Sequence, residues 1–150
     1  MILLDTNVLV YSVNRAAAEH ADSRRIVRLS AAGSLPGVVV PQVLLEFYAT
    51  MTSGRRVTTP LSSAEARAEV EGFCRRLTVR PVPTDVLLHL FASLSEQPRT
   101  GHGIFDVFLV AQMKGLGIGD VCTYNVADFN FAGIRALEPQ QVLALYPTTS

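Results

Sequence analysis

The sequence predicts an α/β domain in which helices cover both faces of a central parallel sheet. Two short, unbroken apolar runs, at residues 2–4 and 38–40, have the composition of strands that are buried on both sides. Between and after such runs lie segments in which apolar residues recur at helical spacing. This alternation favours parallel strands joined by helices, because each crossover must return the chain to the same end of the sheet.

In the first half of the chain, two strands alternate with helices whose ends carry recognisable signals. The expected strands and helices cover residues 2–4, 20–32, 38–40, 41–54 and 63–77. Gly33 can end the first helix, and Pro41 can begin the second. Ser62 and Glu65 have the spacing of a capping box in front of the third. These residues set helix boundaries that hydrophobic spacing alone leaves open.

The second half is predicted to alternate three short strands with helices. The strands are expected at residues 79–82, 121–124 and 134–137. Asp85 is placed to cap a helix that must end before Pro98. A further helix over residues 104–115 is expected to pack through Phe105, Phe108, Leu109 and Met113. Two loops and a final helix complete the chain, over residues 99–103, 125–131 and 139–146.

Composition is that of a single soluble domain, spanning residues 1–150. The chain is 49% hydrophobic, yet no apolar run approaches the ~18 residues that a membrane-spanning helix needs. No secretory signal is visible before the first strand, so we expect no membrane partner and a cytoplasmic location. Thirteen basic and thirteen acidic residues give zero net charge, so any site for a polyanion must be local. Cys74 and Cys122 lie in apolar segments and are expected to be reduced core residues.

Four acidic residues stand where the predicted sheet could bring them together. Asp5 directly follows the first strand, where a buried carboxylate is costly unless it is paired, hydrogen-bonded or bound to a metal. If Glu46, Asp106 and Asp128 follow other strands, all four acids could line one crevice at the carboxyl ends of the strands. Clustered carboxylates repel one another, and oxygen ligands without His or Cys favour Mg²⁺ or Mn²⁺. A site of this kind suits hydrolysis of a phosphodiester.

Each acid also has a simpler interpretation. Asp5 could only cap the helix that follows it, and Glu46 could be a solvated helix residue. Asp106 could only complement a helix dipole, and Asp128 could belong to an ordinary turn. The apolar residues on both sides of Glu46 make its exposure to solvent hard to arrange.

Four segments together carry a resemblance to a known family. They read, in order, LLDTNVLVY, VLLEFYAT, IFDVFLVAQM and TYNVADF. Their order and spacing resemble the acidic motifs of PIN-domain ribonucleases, specifically the VapC toxins of bacterial toxin–antitoxin pairs, over essentially the whole chain. The resemblance implies a three-layer α/β/α domain with a parallel sheet and a metal site of clustered acids. It also implies endonucleolytic cleavage of RNA, inhibition by a cognate antitoxin, and a homodimer.

The resemblance assigns roles to the first three motifs. Asp5, Glu46 and Asp106 match the principal metal-binding acids, which would hold Mg²⁺ or Mn²⁺ for catalysis. Thr6 and Asn7 match the polar residues beside the first acid.

The fourth motif departs from the family pattern. Asp128 matches its second acid, but Asn125 stands where family members often have an acid. Asn offers a neutral carbonyl oxygen in place of a charge, which should weaken a second metal site more than a first. Thr123 is suited to hydrogen-bond Asp5 or Asn125 and orient it.

Several basic and aromatic residues are candidates for contact with a partner. Contacts to the RNA backbone are predicted for Arg55, Arg56 and Arg99. His102 lies in a glycine-rich loop and is expected to be exposed, with contact to substrate as the alternative. The arginines of helix 20–32 suit a solvated face or an antitoxin contact, whereas core packing is favoured over base stacking for Tyr11 and Phe129.

Two functions of other classes compete with the nuclease. One is a catalytically silent binding module, supported by Asn125, in which the apolar helices bearing Phe73 and Phe91 form a dimer seam. The other is a phosphotransfer domain, which would also place an acid after its first strand. The DTN segment lacks the second acid that such domains carry two residues later, and Lys114 is poorly placed in its helix to assist a phosphoryl group.

Overall fold

The computed structural model describes residues 1–147, which form a five-stranded sheet flanked by seven α-helices. The strands are β1 Ile2–Leu4, β2 Gly37–Val39, β3 Thr78–Val79, β4 Asp120–Cys122 and β5 Arg135–Leu137. The helices are α1 Thr6–Val13, α2 His20–Ala31, α3 Pro41–Met51, α4 Ser63–Arg76, α5 Val86–Glu96, α6 Gly103–Gly115 and α7 Pro139–Leu145. A short 3₁₀ turn, Val126–Phe129, lies between β4 and β5.

All neighbouring strands are parallel, in the order β3-β2-β1-β4-β5. The central strand β1 pairs with β2 on one side and β4 on the other, so Leu3 lies between Val38 and Val121. Because parallel crossovers are right-handed, the connections running outward from β1 and the return crossover to β4 cover opposite faces. The helices before β3 pack on one another, as do α5 and α6 on the return crossover. The strand order reverses beside β1, which places a crevice at its carboxyl end.

The α/β class with a central parallel sheet is confirmed, and the core follows from it. All three residues of β1 are at most 1% exposed, as expected for a strand covered on both faces. Phe47 on α3 and Phe73 on α4 meet edge to face, with ring centroids 5.1 Å apart. This contact holds α4 against α3 and buries the helix face that carries Phe73.

Several local signals are confirmed. The predicted capping box is present, with reciprocal bonds between Ser62 and Glu65. Gly33 adopts a φ of 73° just after α2, a conformation that favours glycine at a helix end. The predicted strand at residues 79–82 is shorter and earlier, Thr78–Val79, because Pro81 has no backbone N–H with which to extend the pairing.

Two expectations about burial are wrong. Phe105 is 51% exposed instead of packed, because it lies on the side of α6 that faces the crevice rather than the sheet. Cys74 is exposed, whereas Cys122 is buried and its burial raises the pKa of the thiol to about 12. On α4, one of the two helices considered for a dimer seam, Phe73 is 1% exposed and packs in the core. Both cysteines are free, as expected.

None of the helices within residues 1–147 combines the length and the apolar composition that crossing a bilayer requires.

Candidate active site

A cleft of about 880 Å³ opens at the carboxyl end of β1. Its walls come from four separated parts of the chain, and all four acids singled out in the sequence line it: Asp5, Glu46, Asp106 and Asp128. Thr6, Asn7 and Asn125 line the same cleft. The fold therefore brings together acids that are up to 123 positions apart.

Asp5 is the buried acid at the base of the cleft. It caps α1, since its Oδ1 accepts from the backbone N–H of Thr6 at 2.7 Å. Its Oδ2 accepts from Thr123 Oγ1 at 2.6 Å and from Asn7 Nδ2 at 3.0 Å. Asp5 therefore both caps α1 and lines the cleft. Thr123 was expected to hydrogen-bond and orient Asp5, and the structure shows that direct hydrogen bond.

Burial governs the protonation of Asp5, which is only 8% exposed. Desolvation raises the pKa of Asp5 from 3.8 to about 6, against the opposing hydrogen bonds from Thr123 and Thr6. The negative charges of Glu46 and Asp106 raise the pKa further. The carboxylate form of Asp5 is therefore costly in this cleft and would be favoured by a nearby cation.

Asn7 and Thr123 tie the start of α1 to the end of β4. Asn7 Nδ2 donates to Thr123 Oγ1 at 3.1 Å, and Asn7 Oδ1 accepts from the backbone N–H of Tyr124 at 3.3 Å. The backbone N–H of Asn125 donates to Thr123 Oγ1 at 3.0 Å. These bonds fix the orientation of Asp5 from both sides.

Glu46 is held by polar side chains at both oxygens. Thr6 Oγ1 donates to Glu46 Oε2 at 3.1 Å, and Gln42 Nε2 donates to Oε1 at 2.7 Å. Gln42 is in turn held by Gln112, whose Nε2 donates to Gln42 Oε1 at 2.7 Å. Gln112 is fully buried on α6, and its Oε1 has no hydrogen-bond partner among the described residues.

Sequence reasoning missed Gln42 and Gln112. The signal for Gln42 is its place one helical turn before Glu46, where side chains of the same helix meet. The signal for Gln112 is a lone amide within an apolar helix, a residue type that requires a buried partner.

Asp106 lies in the first turn of α6, as predicted, and is half-buried. Its burial, followed by the charges of Asp128 and Glu46, raises its pKa, and the charge of Arg99 opposes them. Asp128 is in the 3₁₀ turn, where its backbone N–H donates to Asn125 O at 3.0 Å. The two acids therefore interact electrostatically across the cleft.

The acids match a hard divalent cation in donor chemistry and in charge. Every side-chain donor that they supply is a carboxylate oxygen, which Mg²⁺ and Mn²⁺ prefer. Within residues 1–147, however, no three Asp, Glu, His or Cys side chains are grouped so that they could hold a metal ion together. Mg²⁺ keeps several of its waters when bound by proteins, so one or two direct carboxylate bonds suffice.

The basic residues singled out for RNA contact differ in position. Arg56 lines the cleft. Arg99 lies close enough to Asp106 to affect its pKa, and its guanidinium lies 6.0 Å from the centroid of the Phe131 ring. Arg55 is exposed and is not part of the cleft wall that the structure describes.

Aromatic rings line the rim of the cleft. His102 is exposed, as expected, and its ring is stacked with that of Phe105 at a centroid distance of 6.1 Å. Tyr11 also lines the cleft and contacts Tyr124 edge to face. Phe129 is 3% exposed, so core packing accounts for it.

Comparison of the chain with known proteins gives related sequences but no matching family model. The chain is 29% identical over 143 residues to ribonuclease VapC24 of Mycobacterium tuberculosis, covering 89% of this chain and 94% of that one. It is also 29% identical over 140 residues to ribonuclease VapC48 of the same organism, covering 90% of this chain and 94% of the relative.

Solved structures share the fold over nearly the whole chain. VapC20 of Mycobacterium tuberculosis, described as a sarcin–ricin loop cleaving toxin, matches with a TM-score of 0.61 at 18% identity, covering 90% of this chain and 99% of that one. DNA-bound VapBC from Salmonella typhimurium matches with a TM-score of 0.66 at 22% identity, covering 93% and 99%. VapBC-1 from nontypeable Haemophilus influenzae matches with a TM-score of 0.63 at 19% identity, covering 93% of this chain and 99% of that one.

Proposed function

We propose that this chain, whose resemblance to the VapC-type PIN-domain ribonucleases is confirmed by its relatives, is a metal-dependent endoribonuclease. It would hydrolyse phosphodiester bonds of RNA and act as the toxin of a toxin–antitoxin pair. The observation that carries the proposal is the convergence of four distant acids in one cleft at the switch point of a parallel sheet. The ribonuclease names of its sequence relatives support the same reaction.

Asp5, Glu46 and Asp106 would hold Mg²⁺ or Mn²⁺, one or two of them by direct bonds and the rest through waters of the ion, with Asp128 at the edge of the site. When bound, such an ion supplies an activated water and neutralises charge on the attacked phosphate. The protein's own contribution is orientation. Asp5 is held by Thr123 and Asn7, Glu46 is held by Gln42 and Thr6, and each carboxylate therefore keeps a defined orientation in the cleft.

Gln112 is proposed as a positioning residue, acting on Glu46 through Gln42. Gln112→Met removes the unpartnered Oε1 but also the donor to Gln42, and these effects on stability oppose each other, so we expect only a small change in stability. Affinity for Mn²⁺ should fall by about tenfold, because the residues that orient metal ligands typically contribute that much. Calorimetric titration with Mn²⁺ and thermal unfolding measure the two effects. Unchanged Mn²⁺ affinity would remove this role, and Gln140→Met, on the exposed side of α7, serves as the control.

Phe105 is expected to stack on a base of the substrate, since it is half-exposed at the rim and already faces an aromatic ring. Phe105→Ala should raise KM about tenfold, in keeping with about 1–3 kcal/mol for one stacked base, and Phe105→Tyr should restore it. Leu145→Ala removes a comparably exposed apolar side chain on α7 and should have no effect. Steady-state cleavage of a short RNA measures KM, and equal KM values for the Phe105 and Leu145 variants would contradict the prediction.

Protein partners follow from the relatives and from the surface. The matching structures from Salmonella typhimurium and Haemophilus influenzae are of VapBC assemblies, which supports a cognate antitoxin as the inhibitor of this chain. A homodimer is supported by α5, where Leu87, Leu88 and Phe91 are 56%, 72% and 60% exposed. A contiguous apolar side of this kind favours burial against a partner.

The alternative is a catalytically silent PIN-like binding module. It is favoured by Asn125, the neutral residue of the fourth motif, and by the spacing of the acids within residues 1–147. Titration with Mg²⁺ or Mn²⁺ separates the two. If the cleft is a nuclease site, the unmodified protein binds the ion and Glu46→Gln binds it more weakly. If the chain is a silent module, the titrations of the two proteins do not differ.

The direct test incubates the purified protein with total RNA and Mg²⁺, Mn²⁺ or a chelator, followed by mapping of new RNA ends. Discrete new ends that appear with metal and vanish with chelator are the expected result. Intact RNA under all conditions, or cleavage that the chelator leaves unchanged, would overturn the proposed function.

A further inference from the structure

We propose that a second cavity, separate from the acidic cleft, binds phosphate groups of the RNA strand. The cavity has a volume of about 420 Å³ and lies between the end of α1, helix α2 and helix α4. Its polar lining includes four arginines, one acidic residue and one histidine: Arg15, Arg24, Arg28, Arg76, Glu69 and His20. The inference rests on the proposed ribonuclease function, since it assigns a second contact to the same substrate.

The cavity carries an excess of positive charge, because its lining holds four arginines and one acidic residue, Glu69. Arg15, Arg24 and Arg28 make no salt bridge within 4.0 Å to any residue in the described part of the chain. Of the arginines outside the cavity, Arg67 pairs with Glu71 and Arg135 with Asp120, whereas Arg55, Arg56 and Arg99 make no salt bridge within residues 1–147. In a chain of zero net charge, positive charge is therefore concentrated at this cavity.

The walls of the cavity are fixed by contacts within the protein. His20 Nδ1 lies 2.8 Å from the backbone oxygen of Tyr11, which ties the start of α2 to α1. Arg76 Nε donates to Gly72 O at 3.0 Å, and its guanidinium lies 5.8 Å from the centroid of the Phe73 ring. Phe73 itself is 1% exposed, so the floor offers packing but no free ring face for a base. Phosphate recognition without base reading fits this arrangement.

The end of α1 separates this cavity from the acidic cleft. Tyr11 and Asn14 line the cleft, whereas Ser12, Val13 and Arg15 line the second cavity. A strand that leaves the cleft across the end of α1 therefore meets the arginines directly. The cleft repels phosphates through its carboxylates, so affinity for RNA requires cations outside it. Guanidinium groups suit this role, because they bind phosphate oxygens in pairs.

The test measures binding of a labelled 2′-O-methyl RNA of about 12 nucleotides, a length within the range that single-strand binders cover. Fluorescence anisotropy with chelator present keeps binding separate from cleavage. The double variant Arg24→Gln/Arg28→Gln should weaken binding at least about tenfold at low salt. It should also reduce the slope of log K against log salt by about 1.4, since each lost phosphate contact on a single strand removes about 0.7.

The matched control is Arg67→Gln/Arg75→Gln, which removes the same charge from arginines that face Glu71 on the exposed side of α4. It should leave the salt slope unchanged. Arg24→Lys/Arg28→Lys should restore the slope but only part of the affinity, because Lys lacks paired donors. Thermal unfolding establishes that all variants fold.

An equal loss of RNA affinity in Arg24→Gln/Arg28→Gln and in the control Arg67→Gln/Arg75→Gln would indicate a general charge effect and overturn the proposal. Normal RNA binding by Arg24→Gln/Arg28→Gln would also overturn it, and capture of an acidic peptide by the cavity would then explain the arginines. Loss of RNA binding in Arg24→Gln/Arg28→Gln but not in the control supports the proposal. This outcome is independent of cleavage, so failure of the ribonuclease reaction in Mg²⁺ or Mn²⁺ is seen separately.

Discussion

Asp5→Asn is expected to lose RNA cleavage while the domain stays folded. The substitution removes the charge at the base of the cleft, and a single electrostatic group in an active site typically contributes about a hundredfold to a thousandfold in rate. Asn still offers an oxygen to the backbone N–H of Thr6, so the cap of α1 is kept. Asp5→Ala should lose activity as well, but it also loses the cap, at a cost of about 1 kcal/mol. Cleavage rates in Mn²⁺ and thermal unfolding of both variants measure these effects.

Asp85→Asn is the control for removal of one acidic charge. Asp85 lies at the start of α5, outside the cleft lining, and makes an exposed pair with His89 at 3.2 Å. Exposed pairs of this kind contribute little, so both cleavage and stability should match the unmodified protein. Full cleavage by purified Asp5→Asn would contradict the assignment of Asp5 to the catalytic site.

Stability is expected to fall as the pH rises through the pKa of Asp5. Burial first, and then the neighbouring charges, raise this pKa from 3.8 to about 6 in the folded protein. Below about pH 4 the carboxyl is protonated in both the folded and the unfolded states, and its burial carries no charge penalty. Above pH 6 the folded state holds a buried carboxylate, which costs about 3 kcal/mol relative to low pH. The raised pKa of Asp106 acts in the same direction.

Urea unfolding at pH 4 and pH 7.5 measures the effect, and Asp5→Asn isolates the contribution of Asp5. The difference in unfolding free energy between the two proteins should shift by about 2 kcal/mol over this range, in favour of the variant at the higher pH. Titration of groups that do not interact with Asp5 cancels in this comparison. A difference that stays constant with pH would show that Asp5 does not titrate in this window.

Addition of Mn²⁺ at pH 7.5 should stabilise the unmodified protein, because an ion that binds only the folded state shifts the unfolding equilibrium. At an ion concentration about a hundred times the dissociation constant, the gain is about 2.7 kcal/mol. Asp5→Asn should gain much less. Equal gains in the two proteins would place the binding of Mn²⁺ outside the acidic cleft.

Helix boundaries were largely accessible from the sequence because their signals are local. The capping box of Ser62 and Glu65 and the glycine after α2 act over a few residues, and neither needs a partner from elsewhere in the chain. The helix whose extent was not predicted is α1, eight residues that are separated from β1 only by Asp5 and are mostly apolar from Val8 onward. A short apolar helix has too few turns for its period to be distinguished from that of a strand.

The sequence by itself determined the α/β alternation, the order of four acidic motifs and the position of each acid at the end of a strand or in the first turns of a helix. It could do so because hydrophobic period, caps and motif spacing are properties of neighbouring residues. Tertiary structure alone decided that Phe105 faces the cleft, that Gln112 reaches Glu46 through Gln42, and that arginines of α2 and α4 share a cavity. These features depend on which side of a helix meets which neighbour, and a helical pattern leaves that choice to the packing of the whole domain.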